Sequence, residues 1–489
     1  MVQIKEPRID YFYVPLSLMT KSLNLELDRS AKTSLAEQIR KGITTAIESG
    51  VLLPGARLPS WLDLAAQLGV ARGTVRLAYE RLMDAQLITA SRATGTRVAE
   101  RPQIFIGRDE PPDQGSFMEM YQELMAGPAI FQMGVPAQET LPAKLFTRIH
   151  SYAIRAELSK AALYPDPRGE PELRREIAAY LAIARGLECS PSQIFVTGGF
   201  SSGLGLTMRV LGLQGQKTWV EDPSFPITKH GLGLAGLSLA PIPVDEEGID
   251  IDYGVRNAAD AALCVVTPGQ QAPLGMTMSL ARRLQLLEWA AQKEQWVIED
   301  DYLSELQLGA RAAPALASLD RAGRVIHIGS FSKTITPTLR LGFVVSPPSI
   351  ASRFAEVAAC LAPAPIPAVQ LATAEFMRDG HYIRHLRRTK RLYSAQQDAL
   401  QDYLTPRVKG IDVATAGLAA LLYLPDGTDD VSLVRETLAY GLAPAPLSAW
   451  YASPAAAKSG LLLGISTAPQ QHIGRACDRL LEILERYQM

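Results

Sequence analysis

From about residue 126 onward, short continuous apolar runs alternate with helical stretches, and this alternation leaves few folds open. The runs are Ile194-Phe195-Val196-Thr197, Thr218-Trp219-Val220, Ala262-Leu263-Cys264-Val265-Val266, Trp296-Val297-Ile298 and Val325-Ile326-His327-Ile328. Near-continuous apolar runs of this kind are expected of strands covered on both faces. Helical patterns such as 279–293 separate them. The expected fold is an α/β domain with a mostly parallel sheet. In such a sheet the residues just past the strands' C-terminal ends meet the ligand.

Those ends carry chemistry. After Val196 comes Thr197-Gly198-Gly199-Phe200-Ser201-Ser202-Gly203 and then a helical pattern. Glycines and hydroxyls at a helix start form an anion site, here at Gly199, Phe200 and Ser201. After Val220 comes Glu221-Asp222-Pro223-Ser224-Phe225, which offers a ring for stacking. After Ile298-Glu299 comes Asp300-Asp301-Tyr302. Side chains two apart share a face of an extended segment, so Asp300 and Tyr302 point into one pocket and Asp301 points away.

The last run leads into Ser330-Phe331-Ser332-Lys333, followed by Arg340-Leu341-Gly342. A lysine held on a tight loop between two buried strands can lose its proton and form a Schiff base. Ser330, Ser332 and Arg340 suit a phosphate. An Asp for a ring nitrogen, a Tyr for a ring oxygen, a lysine and phosphate ligands are what pyridoxal phosphate (PLP) asks of a protein. Taken singly, each feature has a plainer reading: a cap, a turn, a core Phe, a solvated Lys.

Composition narrows the setting. With 49 Lys and Arg against 50 Asp and Glu the net charge is -1, so any nucleic-acid binding must come from a local patch. Cys189, Cys264, Cys360 and Cys477 are scattered without a CxxC pair. Neither a disulfide scaffold nor a metal site is expected, and a reducing cytoplasm fits. Residues 1–24 lack the pattern of a signal peptide, and no apolar run reaches the length of a membrane span. Asp10-Tyr11-Phe12-Tyr13-Val14 is a candidate short strand.

Residues 26–100 read as a separate unit. Leu35, Ile39, Ile43 and Ile47 recur every four residues, the pattern of an amphipathic helix ended by Gly50 and Pro54-Gly55. Ser60, spaced three from Asp63, opens a second helix that stops at Gly69. Arg72 to Leu82 is a third helix, and Leu87–Ala90 and Thr96–Val98 are short strands around a turn at Arg92-Ala93-Thr94-Gly95. Helix, helix-turn-helix and hairpin make a winged helix. Arg72, Thr74 and Arg76 lie where a recognition helix meets base edges, with Arg92, Thr94 and Gly95 on the wing and Ser60 at the second helix. The alternatives are a winged helix used for protein contact and a solvated charged face. Residues 101–125, punctuated by Pro102, Pro111-Pro112 and Gly115, read as a linker. Residues 126–489 are the expected ligand-binding and dimerisation domain.

Leu53-Pro54-Gly55-Ala56-Arg57-Leu58-Pro59-Ser60, Leu68-Gly69-Val70-Ala71-Arg72-Gly73-Thr74-Val75 and Ala78-Tyr79-Glu80-Arg81-Leu82 resemble the GntR-type DNA-binding domain. One departure is Leu62, where that family usually carries an Arg. The ordered strand ends resemble a fold-type I PLP-dependent aminotransferase, and the whole resembles the MocR branch of GntR regulators. The second likeness rests on Tyr164-Pro165-Asp166-Pro167-Arg168-Gly169, Glu299-Asp300-Asp301-Tyr302, Ser330-Phe331-Ser332-Lys333, Leu339-Arg340-Leu341-Gly342 and Gly380-His381-Tyr382-Ile383-Arg384-His385-Leu386-Arg387-Arg388, which overlaps a basic run from Arg384 to Arg391. The resemblance implies that Lys333 is the Schiff-base lysine, Asp300 the ring-nitrogen partner and Tyr302 the ring-oxygen partner. It implies that Phe225 stacks on the ring and that Ser330, Ser332 and Arg340 bind phosphate. It also implies that Tyr164 reaches in from a partner subunit of a homodimer. The basic run is expected to be a solvated helix face.

The substrate side departs from the family. Its Thr-Pro-Ser-His-Gln-aromatic-Pro-Thr-Gly stretch stands here as Thr267-Pro268-Gly269-Gln270-Gln271-Ala272-Pro273-Leu274-Gly275. Leu462 falls where aminotransferases place a carboxylate-binding Arg, and Ile227 where some members carry another. A carboxylate leaving water needs a charged partner. The expectation is a DNA-binding regulator that senses PLP, an amine or another small molecule, acting on a double-stranded operator without membrane association. A working aminotransferase with a DNA-binding domain, and a scaffold that no longer holds PLP, are the alternatives.

Overall fold

The computed structural model describes residues 25–31, 33–91, 95–100, 118, 122, 129–159, 161, 163–308, 312–408 and 410–487. The expected strand at 10–14, the linker apart from Met118 and Gln122, and the wing residues Arg92 and Thr94 lie outside the described residues. Two compact units divide at Asp113/Gln114.

In the first unit, α1 (Leu35–Glu48), α2 (Trp61–Leu68) and α3 (Arg72–Asp84) precede β1 (Ile88–Ser91) and β2 (Gly95–Val98). Ser60 caps α2 by accepting from the Asp63 amide at 3.1 Å, and its hydroxyl donates to the Asp63 carboxylate at 2.7 Å. Asp63 thus turns to the Ser60 hydroxyl rather than back to the Ser60 amide. Gly69 ends α2 in the left-handed region, at φ 61°, where a Cβ would be strained. Ile39, Ile43, Leu64, Val75 and Leu82 meet in one core. Each such buried side chain contributes roughly 1.5–3 kcal/mol. The Tyr79 hydroxyl donates to the Pro59 carbonyl at 2.9 Å and fixes α3 against the start of α2. β1 and β2 pair antiparallel, with Ile88 opposite Val98.

The second unit contains an eight-stranded sheet with helices on its faces. Its strands are β3 (Ile194–Thr197), β4 (Lys217–Asp222), β5 (Ser238–Asp245), β6 (Gly248–Ile249), β7 (Ala261–Val266), β8 (Trp296–Asp301), β9 (Val325–Ser330) and β10 (Gly342–Val345). The spatial order is β3-β10-β9-β8-β7-β4-β5-β6. The run β9-β8-β7-β4-β5 is parallel, and β10 is antiparallel to both β3 and β9. The C-terminal ends of β3, β4, β7, β8 and β9 therefore open on one edge. α4 (Ala143–Leu158), α5 (Pro171–Arg185), α6 (Phe200–Leu211) and α7 (Pro226–Leu234) follow in chain order, with α6 entered directly from β3 and α7 soon after β4. Burial is complete along β3 and β10, as the apolar runs require.

A smaller antiparallel sheet follows, from β11 (Asp412–Ala416), β12 (Ala419–Tyr423), β13 (Ala445–Pro446) and β14 (Gly460–Gly464). Leu421, Leu462 and Ala445 stand side by side across it. The basic run lies on the helix His381–Leu404, with Arg384, Arg387, Arg388 and Arg391 exposed and His385 buried.

Candidate functional site

The loop between β9 and β10 carries Lys333, and the sheet order sets it beside the end of β8. Lys333 Nζ donates to the Gly134 carbonyl at 2.6 Å. Burial pushes its ammonium down to about 8, and the Asp300 carboxylate offsets part of that fall. Asp300 is buried, and burial together with the charges of Asp301 and Glu221 pushes its carboxyl well above the usual range, against the pull of Lys333. No hydrogen bond reaches that carboxyl among the described residues. Tyr302 lies half-buried beside it, raised by burial and by the charges of Asp300 and Glu221. Asp301 turns the other way and accepts from Arg185 Nε at 2.8 Å. The strand alternation thus places Asp300 and Asp301 as the sequence implies, although β8 runs on through Asp301 rather than ending at Glu299.

The turn from β3 into α6 is where the sequence places an anion end. Gly199 is the N-cap at φ 95°, a conformation an L side chain rarely adopts. A cleft of about 480 Å³ opens there, lined by Thr197, Gly198, Ser201, Ser202 and Arg340. Ser332 Oγ lies 4.0 Å from where a Cβ on Gly199 would sit, and the Ser330 hydroxyl accepts from the Ser332 amide at 3.2 Å. Ser201 and Arg340 therefore line the cleft, while Ser332 lies near Gly199 and is tied to Ser330. The Phe200 ring packs into the core under the sheet, which leaves only its backbone for the anion end. Tyr164 is fully exposed.

Phe225 packs against Trp450, with ring centroids 5.7 Å apart. The Trp450 carbonyl accepts from the Ser224 amide at 2.9 Å and from buried Lys229 Nζ. Asp222 accepts from the Ala452 amide at 2.7 Å. These bonds strap the segment after β13 to the end of β4. Burial lowers Lys229 to about 8, with Asp222 opposing. Glu221 accepts from the Thr267 hydroxyl at 2.6 Å, and burial still raises it to about 7.

The substrate side is filled with apolar groups. Leu462 is fully buried in a cluster with Ala272, Leu421, Leu447 and Trp450, with Phe225 and Tyr302 at its edge. Gln270 is buried so close to Gly417 that a Cβ there would overlap its amide.

These residues fit PLP. A buried carboxyl with no internal hydrogen bond suits a ring N–H, a lysine of lowered pKa suits a carbonyl carbon, and the hydroxyl-lined helix start suits a phosphate. Sequence reasoning did not find Gly134, Trp450 or Lys229, because each joins the site through a contact far along the chain.

In the first unit, Arg72 and Arg76 are exposed on α3 and Thr74 is half-buried. Arg76 pairs with Glu80 at 2.9 Å, an exposed i,i+4 contact worth about 0.3–0.5 kcal/mol that a phosphate readily replaces. Ser60 is committed to its cap, and Gly95 holds the wing at φ 76° beside Arg57.

Comparison with known proteins agrees with both units. Residues 35–98 match the family model for bacterial regulatory proteins of the gntR family, and residues 133–446 match aminotransferase class I and II. The chain is 32% identical to the probable rhizopine catabolism regulatory protein MocR of Rhizobium meliloti, over 90% of this chain and 92% of that protein. It is 31% identical to the HTH-type pyridoxine biosynthesis transcriptional regulator PdxR of Corynebacterium glutamicum, over 92% of this chain and 96% of that protein. Among solved structures, an archaeal alanine:glyoxylate aminotransferase superposes with TM-score 0.69 at 25% identity, over 76% of this chain and 94% of that one. The α-aminoadipate aminotransferase LysN of Thermus thermophilus, complexed with N-(5'-phosphopyridoxyl)-L-leucine, superposes with TM-score 0.68 at 26% identity, over 76% and 95%.

Proposed function

Since this chain belongs to the MocR branch of the gntR-family transcriptional regulators, with a class I and II aminotransferase domain, we propose that it binds PLP at Lys333 and uses that site for sensing. What PLP supplies when bound is a carbonyl carbon that condenses with primary amines. Lys333 offers the amine, Asp300 holds the ring N–H, Tyr302 faces the ring oxygen and Phe225 covers the ring. Gly199, Ser201, Ser330, Ser332 and Arg340 take the phosphate. Tyr164, which is fully exposed, serves the partner's site in a homodimer. Residues 26–100 bind the operator through Arg72, Thr74 and Arg76, with 101–125 as the linker to the sensing domain 126–489.

The observation that carries the sensing role is the contrast within one site. Lys333 and Asp300 are close enough to act on each other, while Leu462, where aminotransferases carry a carboxylate-binding Arg, is buried among apolar neighbours. Lys229, a cation one helical turn beyond Phe225, is committed to the Trp450 carbonyl. The effector is then PLP itself, an amine, or a molecule without an α-carboxylate, rather than an ordinary amino acid undergoing turnover. The retained Lys333 and Asp300 favour, as a second reading, an aminotransferase that also binds DNA.

The test selects an operator from random duplexes. Its affinity is then measured for the unliganded protein, with PLP, and with PLP plus amines or amino acids. A change in affinity with PLP or an amine that Lys333→Ala abolishes supports the proposal. Catalytic turnover of an amino donor with a keto acid would move the reading to the enzyme.

A further inference from the structure

On the face of β8 opposite Asp300 lies a buried cluster that the cofactor site does not use. Glu299 and Asp301 share that face, and the β8–β9 register places His327 directly opposite Glu299. His327 Nδ1 meets Glu299 Oε2 at 3.0 Å, and Nε2 lies 3.8 Å from Asp301 Oδ2. All three are at most 6% exposed. Arg185 Nε reaches Asp301 from α5, and the Phe343 ring stacks on the imidazole at 6.1 Å. Glu305 is close enough to feel the charge of His327.

Two carboxylates this close in a buried site need cations. A metal ion suits the cluster poorly. Glu299 already accepts from the Leu316 amide at 2.7 Å, the Ala317 amide at 3.0 Å and His327, and Arg185 occupies Asp301. A proton on His327 lies in its bond to Glu299 and brings positive charge to within 3.8 Å of Asp301 without displacing anything, although Nε2 itself makes no hydrogen bond among the described residues. Burial alone would push the imidazole down, but Glu299 and Asp301 overcome it and hold it above its ordinary value.

We propose that His327, facing Glu299 and Asp301, is a positioning residue that acts as a cation. Its charge neutralises the underside of β8, so that Asp300 presents its charge to the cofactor ring against a balanced background. Glu299 and Asp301 both act on the Asp300 carboxyl, so an unbalanced underside would be felt there. Without the His327 cation the region becomes more negative, a proton on the Lys333-linked chromophore is favoured, and its titration midpoint rises. The size of the rise, for one charge within a few residues, is on the order of one pH unit.

This inference takes its optical readout from the proposed PLP site, so the experiment has two arms. The first compares the pH midpoint of the Lys333-dependent visible band in the wild type, His327→Gln and His327→Lys. His327→Gln is expected to raise the midpoint, and His327→Lys, which keeps a cation and loses the ring, to leave it near the wild-type value. A folded His327→Gln with an unshifted midpoint overturns the proposal, as does an equal shift in both variants, which would mark a packing role. The second arm needs no cofactor. Nitrogen-15 histidine spectra of the unliganded protein, assigned with either folded variant, should show His327 as an imidazolium at pH 7. A neutral His327 at pH 7 overturns the proposal whatever PLP does, and absence of the visible band with His327 charged refutes the PLP site alone.

Discussion

Lys333 Nζ lies 2.6 Å from the Gly134 carbonyl oxygen, and a Cβ on Gly134 would come within 2.5 Å of that same nitrogen. Gly134 also sits at φ 75°, where an L side chain is strained by about 1–2 kcal/mol. The lysine end is flexible and moves before the backbone does. Gly134→Ala is therefore expected to fold, to lose about 1–2 kcal/mol of stability, and to weaken PLP uptake at least roughly tenfold, measured by absorbance titration. Uptake equal to wild type would show that the Gly134 contact does not position the lysine.

The lowered pKa of Lys333 gives a direction in pH. Its neutral, condensing form is the minority below about 8 and the majority above it. The rate of PLP uptake should rise between pH 7 and pH 9 with an inflection near 8, followed by stopped-flow absorbance. The sign for stability agrees: a lysine with a lowered folded pKa binds fewer protons than in the unfolded chain, so the unliganded protein gains stability as pH rises from about 8 toward 10.

Asp300 has been buried at a cost that the unliganded protein does not recover. Asp300→Asn removes that cost together with the partner for a ring N–H. Thermal melts without PLP should be no lower than wild type, while PLP affinity falls at least roughly tenfold, or about 1.4 kcal/mol. A variant with normal affinity would remove Asp300 from the cofactor's partners.

Leu462→Arg restores the residue type of an aminotransferase at a position that is already filled. Leu462 is fully buried between Leu421 and Ala445 in its sheet. A guanidinium there lacks a partner, and the loss is expected at about 3–5 kcal/mol by denaturant unfolding. Amino-acid affinity should not improve. Tight binding of a simple α-amino acid by the wild type would contradict the assignment of effector class.

On the DNA side, Arg72→Ala should weaken operator binding by about 1–3 kcal/mol if it reads a base edge. If it meets only phosphate, the salt slope falls by about one instead. In either case PLP uptake should be unchanged.

The architecture was legible because its signals are local. Continuous apolar runs and capped amphipathic helices are set by neighbouring residues, and the strand ends Asp300, Tyr302 and Lys333 follow from the runs. Departures at Leu462 and Ala272 were equally readable, since they stand in recognisable stretches. Contacts between distant segments were not. Gly134 meets Lys333 across 199 residues, and Lys229 meets Trp450 across 221. No periodicity marks such pairs. His327 read only as part of an apolar strand, because its polar role depends on register with Glu299. Phe200, read as part of the anion turn, packs its ring against the core and keeps its backbone at the helix start.

The most direct test of the central claim is the visible absorption spectrum of the purified protein with PLP, recorded beside Lys333→Ala. A visible band that appears in the wild type and is absent from the variant is the expected result. No band, or the same band in both proteins, would contradict a cofactor held at Lys333.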